Sequence, residues 1–298
     1  MSDDRANLVI ERLLGGLVPA VPVPFRGPEL DASAQRQYAA WMAGQPVAGV
    51  AVWAHTGRGP HLGADQRRAV LETWREAFAD RIVVAGARDI GMAIEARRGK
   101  ADALLAFPQS DNPVAYHQRL GRELPVIAFY LYREAGGVAY DDATLHRILE
   151  LPEVIGIKLA TLDSVVTFQR VAAVVRQHPS KLLITGEDRF LGYSLLLGAR
   201  AALVGMGAAL PDLQADLIRA AAAEDWSRFV SLSELCDRFA QTTFIEPIEG
   251  YIRRMLWAAA AEGALPPEAC DDPWGPPLPA AEREAVERAV RDARAARA

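Results

Sequence analysis

Short apolar runs, separated by longer stretches of mixed polarity, dominate the first two-thirds of the chain. The runs read LVPAVPV (17–23), AGVAVWA (48–54), RIVVAGA (81–87), ADALLAF (101–107), PVIAFYLY (125–132), VIGIKLA (154–160), LLITGED (182–188) and AALVGMG (201–207). Near-continuous apolar runs of this length predict strands buried on both faces, as a parallel sheet requires. The stretches between them, such as Asp65 to Phe78 and Ser164 to Arg176, place apolar residues at helical spacing. Eight strands with seven intervening helices predict an α/β fold of the (β/α)8 TIM-barrel type. After the eighth run the chain becomes helical and alanine-rich through to ARDARAARA. The Pro-rich piece LPPEACDDPWGPPLP (265–279) interrupts that region and predicts a loop before a last helix. The expected organisation is therefore a barrel with its catalytic mouth over residues 1–220, and a C-terminal helical region over residues 221–298 packed on it.

That architecture states where chemistry belongs, because functional groups of such barrels sit at the C-terminal ends of the strands and on the loops that follow. His55, Thr56, Arg88, Asp89, Tyr130, Lys158, Glu187 and Asp188 occupy those ends, and all are expected to face one mouth. Lys158 is the unusual one. It lies inside VIGIKLA, where an ammonium group is costly unless it is paired or neutralised. The chain otherwise avoids lysine: Lys100, Lys158 and Lys181 are the only three in a Lys+Arg total of 33. A desolvated lysine, unlike an arginine, can lose its proton and become a nucleophilic amine. Tyr130 belongs to the neighbouring fifth strand, so the two side chains are expected to approach each other. The pair points to Schiff-base chemistry, in which the amine attacks a ketone, the iminium serves as an electron sink, and the tyrosine hydroxyl relays protons. The competing reading is that Lys158 pairs with a carboxylate such as Glu187 inside the barrel.

Composition narrows the function classes. The chain has 298 residues, 51% hydrophobic and 24% charged, an ordinary globular balance. A net charge of −5 and no dense basic block weigh against nucleic acid as a partner. The start, MSDDRANLVIERLLGG, carries acids where a signal peptide has bases. No stretch approaches the roughly 20 uncharged apolar residues of a membrane helix. Cys236 and Cys270 are the only cysteines and imply no disulfide scaffold. A soluble cytoplasmic protein with no nucleic-acid or membrane partner is the expectation. His55 and His61 do not form an HExxH pair, and GRGPHLG is not GxGxxG. No metal and no organic cofactor is implied, since a lysine adduct would itself be the electron sink.

VIGIKLA, preceded by PVIAFYLY at the proper interval, resembles the core of the dihydrodipicolinate synthase / N-acetylneuraminate lyase family of class I aldolases. The resemblance covers roughly residues 15–290. LVPAVPVPF followed by Asp31 resembles the family's first strand and loop, and AHTGRGPHLGADQR stands where the family has a GTTGE-like loop leading into a helix. LLITGEDRF resembles its SGDD-like segment, and FIEPIEGYIRRMLWA its late FxEPNPxPxK-type helix. The resemblance implies that Lys158 is the Schiff-base lysine and Tyr130 the proton-relay tyrosine. It further implies that Thr56, with the backbone amides around Gly57, holds the carboxylate of a 2-oxo acid. Gly186 matches the glycine that lets the end of the seventh strand approach the ligand.

The departures carry information too. His55 replaces the loop's first threonine or serine, which in the family hydrogen-bonds the catalytic tyrosine. A histidine can make that bond and titrate near neutral pH, or it can be a satisfied polar residue at the mouth. Arg58 replaces a glutamate, and TGRGP resembles the TGxGP loop of the 2-keto-3-deoxygluconate aldolase branch. An arginine there either clamps a second carboxylate or forms a structural ion pair. FPQSDNPV lacks the paired tyrosines of the synthases, and Ala135 replaces the arginine that binds their aldehyde substrate, so dihydrodipicolinate synthesis itself is not expected. The expected function is a Schiff-base-forming lyase or aldolase acting on a 2-oxo acid, either pyruvate or a 2-keto-3-deoxy sugar acid. Lys158, Tyr130 and His55 are the expected catalytic residues; Thr56, Gly57, Arg58 and Gly186 are the expected substrate-binding ones. The alternatives are a keto-deoxy sugar acid dehydratase using the same lysine and a non-catalytic barrel that binds a 2-oxo acid. The resemblance also implies a homo-oligomer, a tetramer or dimer.

Overall fold

The computed structural model describes residues 3–162 and 164–297; Met1, Ser2, Asp163 and Ala298 lie outside the described residues. Eight parallel strands form one sheet: β1 (Leu17–Pro19), β2 (Gly49–Val52), β3 (Ile82–Ala87), β4 (Ala103–Ala106), β5 (Val126–Leu131), β6 (Val154–Ala160), β7 (Leu182–Thr185) and β8 (Ala201–Val204). Each strand from β2 to β8 pairs with the next, and β8 pairs back to β1 with Leu17 opposite Ala202. The remaining seam, between β1 and β2, is bridged by Ala48 N donating to Leu17 O at 2.8 Å and Val21 N donating to Ala51 O at 3.1 Å. The sheet is thereby a nearly closed barrel.

Helix α1 (Asp3–Leu13) precedes the barrel. The helices between successive strands are α2 (Ala32–Ala43), α3 (Ala64–Ala77), α4 (Ile90–Arg98), α5 (Pro113–Gly121), α6 (Asp142–Leu149), α7 (Val165–Val175) and α8 (Leu191–Leu196). The fold is the (β/α)8 barrel expected from the apolar runs. After β8 come α9 (Pro211–Ala222), α10 (Trp226–Thr243), α11 (Tyr251–Ala261) and α12 (Ala280–Ala295). Ion pairs from Arg294 and Arg297 to Asp212 hold α12 against α9. Among the described residues no helix is long and apolar enough to cross a membrane.

The strand ends differ from the apolar runs for local reasons. LVPAVPV continues past Pro19, but Pro22 and Pro24 have no N–H to give a ladder, and a small hairpin of Phe25–Arg26 with Glu29–Leu30 follows instead. AGVAVWA ends as a strand at Val52 because Trp53 turns left-handed, with φ 56°, and buries its ring while its Nε1 donates to Arg67 O at 3.0 Å. Helix starts follow ordinary capping: Asp141 accepts from Thr144 N at 2.8 Å, as its place before a helical pattern predicts. Helix α1, unpredicted from the sequence, places Ala6, Val9 and Leu13 in the same apolar cluster as the barrel's interior residues.

Strand alternation sorts side chains into two apolar clusters. Ile127, Phe129 and Leu131 of β5 belong to the barrel interior. Val126, Ala128 and Tyr130 belong to the layer between strands and helices. This parity decides what the mouth contains.

Candidate active site

Lys158 stands near the C-terminal end of β6, paired in register with Phe129 of β5 and Ile184 of β7. Only 4% of it is exposed. Its Nζ lies 4.3 Å from the centroid of the Phe129 ring, within cation–π reach. The stem passes directly over Gly186: a Cβ at that position would lie 2.5 Å from Lys158 Cε and 2.8 Å from Leu159 O. Glycine is required there for space rather than for backbone freedom.

Lys158 forms no ion pair among the described residues, so the alternative reading of a Glu187 partner is not realised. Glu187 is fully buried, and its carboxylate accepts from Thr161 Oγ1 at 2.9 Å and Leu162 N at 3.1 Å, besides Thr161 N. Burial raises its pKa to about 7 in spite of those donors. Asp188 Oδ1 accepts from Met206 N at 2.6 Å. Burial pushes Asp188 up, against the backbone donors of Met206 and Gly205 and the charge of Lys158. Burial pushes Lys158 down to about 8, against the attraction of Asp188 and Glu187. Desolvation therefore wins over pairing on both sides. An amine in this setting is free at a pH where an ordinary lysine is protonated.

The cavity around Lys158 includes His55, Thr56, Tyr132, Asp188, Phe244 and Tyr251 in its wall. Thr56 and Tyr251 share a hydrogen bond of 2.9 Å between their hydroxyls. A Cβ on Gly205 would lie 3.2 Å from Thr56 Oγ1 and 3.6 Å from Asp188 Oδ2, so these oxygens converge on one part of the wall. Neither Thr56 nor Gly57 donates its backbone N–H to a partner among the described residues, whereas Arg58 N donates to His55 O at 3.0 Å and Gly59 N to Ala54 O at 3.2 Å. Gly57 sits tightly against the segment that follows β1, where a Cβ would come 2.9 Å from Val21 O.

Three sequence expectations need correction. Tyr130 does not reach Lys158. Its hydroxyl accepts from Arg170 Nη2 at 3.2 Å, its ring meets Tyr140 edge-on at 6.4 Å, and it lines a different cavity with Ser164 and Thr167. The cause is parity: the residue opposite Lys158 on β5 is Phe129, so the next side chain points to the opposite face. Tyr132 returns to the cavity and donates to Glu249 Oε1 at 3.0 Å. Arg58, for its part, is not in the cavity wall. Its Nε and Nη2 bind Asp272 at 3.1 and 2.7 Å, and its Nη1 binds Glu249 Oε2 at 2.9 Å. Of its two readings, the structural ion pair is the one the geometry supports. Arg88 and Asp89 also lie elsewhere, beside Gln109 and Asp111.

Glu249 and Tyr251 are site residues that sequence reasoning passed over, though both lie in the FIEPIEGYIRRMLWA segment. Glu249 joins His55 Nε2 at 2.9 Å, Tyr132 and Arg58. Burial would raise its pKa, but the hydrogen bond from His55 and the charges of His55 and Arg58 hold it at about 2. Burial lifts Tyr132 and Tyr251 well above the usual phenol range, so both remain hydroxyl donors. His55 stacks on Tyr251 at 6.3 Å, and Tyr251 on Phe244 at 4.8 Å. The segment before and into α11 thus closes one side of the mouth.

No family profile matches the chain. It is similar to the 4-hydroxy-tetrahydrodipicolinate synthase of Sphingopyxis alaskensis, at 26% identity over 262 residues, covering 82% of this chain and 88% of the relative. Its fold is similar to that of a Ruminococcus gnavus sialic acid aldolase, solved as a catalytic lysine mutant, with TM-score 0.83, 17% identity, and coverage of 96% of this chain and 97% of that one. A prophage protein of the dihydrodipicolinic acid synthase family from E. coli K12, in complex with pyruvate, gives TM-score 0.81 at 19% identity, covering 94% and 98%.

Proposed function

We propose that this chain, a divergent member of the dihydrodipicolinate synthase / N-acetylneuraminate lyase family, is a class I aldolase or lyase that forms a Schiff base between Lys158 and a 2-oxo acid such as pyruvate. The observation that carries the reading is the Lys158 amine, buried at the barrel mouth over Phe129 and free of any ion pair among the described residues. A lysine so placed has little structural use and is suited to nucleophilic attack on a ketone. The pyruvate bound by the E. coli prophage relative supports the choice of a 2-oxo acid.

In this reading the acid's carboxylate lies against the Thr56 hydroxyl and the unpartnered amides of Thr56 and Gly57. Gly186 keeps the Lys158 stem in place. The proton relay assigned to Tyr130 passes to Asp188, which lines the same cavity and is raised toward neutrality by burial. As the amine adds, Asp188 takes one proton from the nitrogen and passes it to the carbonyl oxygen, and the hydroxyl so formed leaves as water with a second proton drawn from solvent. Tyr132, whose hydroxyl donates to Glu249, and His55, on the same carboxylate, act as positioning residues. A non-catalytic binding barrel is the second reading, and Phe129 favours it, because no hydroxyl stands opposite the lysine.

Borohydride reduction with pyruvate separates the two. The aldolase reading predicts a reduced adduct mapped to Lys158 and absent from Lys158→Arg. No adduct with pyruvate or a panel of 2-oxo acids leaves the binding barrel. Among active outcomes, pyruvate plus an aldehyde identifies an aldolase, and an oxo acid formed without carbon–carbon cleavage identifies a dehydratase.

A further inference from the structure

Away from the mouth, two histidines meet ring to ring. His146 lies in the last turn of α6, and His178 in the turn that leads from α7 into β7. His146 Nδ1 and His178 Nε2 stand 2.8 Å apart, with the ring centroids at 5.1 Å. Both residues are half-buried, and neither ring has a carboxylate partner among the described residues. The other three histidines are placed differently. His55 is bound to Glu249, His61 lies against Trp274, and His117 is fully buried on the Pro113 carbonyl.

Two neutral imidazoles this close share one proton, one ring donating and the other accepting. The same spacing suits a metal ion. With metal–nitrogen bonds of about 2.0 Å, two ligands at a right angle stand about 2.8 Å apart, whereas two in a tetrahedral site stand about 3.3 Å apart. The observed separation therefore matches a square-planar or octahedral ion such as Cu2+ or Ni2+. Burial and the neighbouring His146 push the His178 pKa down, with Lys181 adding to the effect and Glu150 opposing it, so that ring is a neutral ligand near pH 7. Lys181 is itself tied to the Leu151 and Val154 carbonyls, at 2.9 and 2.6 Å. The outer nitrogens, His146 Nε2 and His178 Nδ1, have no protein partner among the described residues. The donor ring can carry its proton there while its inner nitrogen takes the metal. Among the described residues no third His, Cys, Asp or Glu completes the set.

We propose that His146 and His178 form a two-histidine site for a late first-row divalent cation, Cu2+ or Ni2+, with water in the remaining positions. The site stands at the end of the barrel away from Lys158, where α6 feeds β6 and the turn after α7 feeds β7. That end of such a barrel serves stability rather than catalysis. The metal is therefore structural, a clip between two neighbouring β/α units, and it is independent of the Schiff-base reading.

The test is calorimetric titration of the full chain, without a polyhistidine tag, with NiCl2 near pH 7, alongside thermal melts with and without the ion. The expected result is one saturable site per chain and a Tm raised by Ni2+, but not by Mg2+, which takes oxygen ligands. His146→Ala and His178→Ala, at half-exposed positions, should each weaken Ni2+ binding at least about tenfold, the least that disturbing even an outer partner of a metal ligand costs. His178→Gln, which keeps a polar side chain in the turn, carries the same expectation and decides the matter should His178→Ala not fold. Binding retained within threefold in any of these variants, a Tm rise that the double variant shares, or no saturable binding overturns the site.

Discussion

The closest packing in the site is also its most exposed weakness. Replacing Gly186 by alanine places a methyl group 2.5 Å from Lys158 Cε, 2.8 Å from Leu159 O and 3.1 Å from the Cβ of Ala160. An ordinary carbon–carbon contact is about 3.5–4.0 Å, so the lysine stem has to move by about 1 Å. Swinging the stem alone does not relieve the clash, because Leu159 O belongs to the β6 backbone and Ala160 follows it. Overpacking of this kind costs about 1–3 kcal/mol in stability. The effect on chemistry should be larger, since a misplacement of about 1 Å costs about a hundredfold in rate. The assay is the initial rate of borohydride-trapped pyruvate adduct on Lys158, with a urea melt on the same preparation. Gly186→Ala should remain folded, with a modestly lower urea midpoint, and trap about a hundredfold more slowly. A trapping rate within threefold of the parent would refute the claim that Gly186 positions the amine.

Three further predictions concern the residues around it. Tyr130→Phe should leave the trapping rate unchanged, because Tyr130 faces Arg170 and the helix layer; a tenfold loss would restore it to the relay. Asp188→Asn, in contrast, should slow trapping by about a hundredfold, the usual scale of a lost general acid–base, and flatten its pH profile; an unchanged profile would remove Asp188 from the proton path. For Glu249, the folded pKa lies below the unfolded one, so its contribution to stability is present above pH 4.5 and is lost as pH falls toward 2. That difference corresponds to about 3 kcal/mol at full burial, reduced to about 2 by its partial exposure. Urea melts at pH 7 and pH 3 should show Glu249→Gln losing less stability on acidification than the parent, and equal losses would count against the His55–Glu249–Arg58 network.

Much of the frame was legible from the chain because a parallel barrel buries its strands on both faces, and runs such as RIVVAGA and VIGIKLA are conspicuous for that reason. Lys158 was legible on the same ground, as a charge in a place that penalises charge. Tyr130 misled because sequence interval reports which strands are neighbours, while side-chain direction depends on register, and a shift of one residue exchanges the faces. The register places Phe129 opposite Lys158 and so gives the mouth to Tyr132. Glu249 and Tyr251 were illegible for a different reason. They meet His55 and Thr56 across 194 and 195 positions of chain, a distance at which no local pattern specifies contact. Arg58 resolved only when Asp272, from the Pro-rich loop, appeared beside it.

The proposed chemistry depends on one amine. The most direct measurement is the rate of pyruvate adduct formation on Lys158, trapped by borohydride and located by peptide mass spectrometry, across pH 6 to 10. Burial holds this lysine near 8 rather than 10.5, so more of it is free amine at each pH in that range than in an ordinary lysine. The expected result is an adduct confined to Lys158 whose formation rises with pH and levels off near 8 to 9. An adduct spread over Lys100 and Lys181 as well, one still rising steeply at pH 10, or none at all would contradict it.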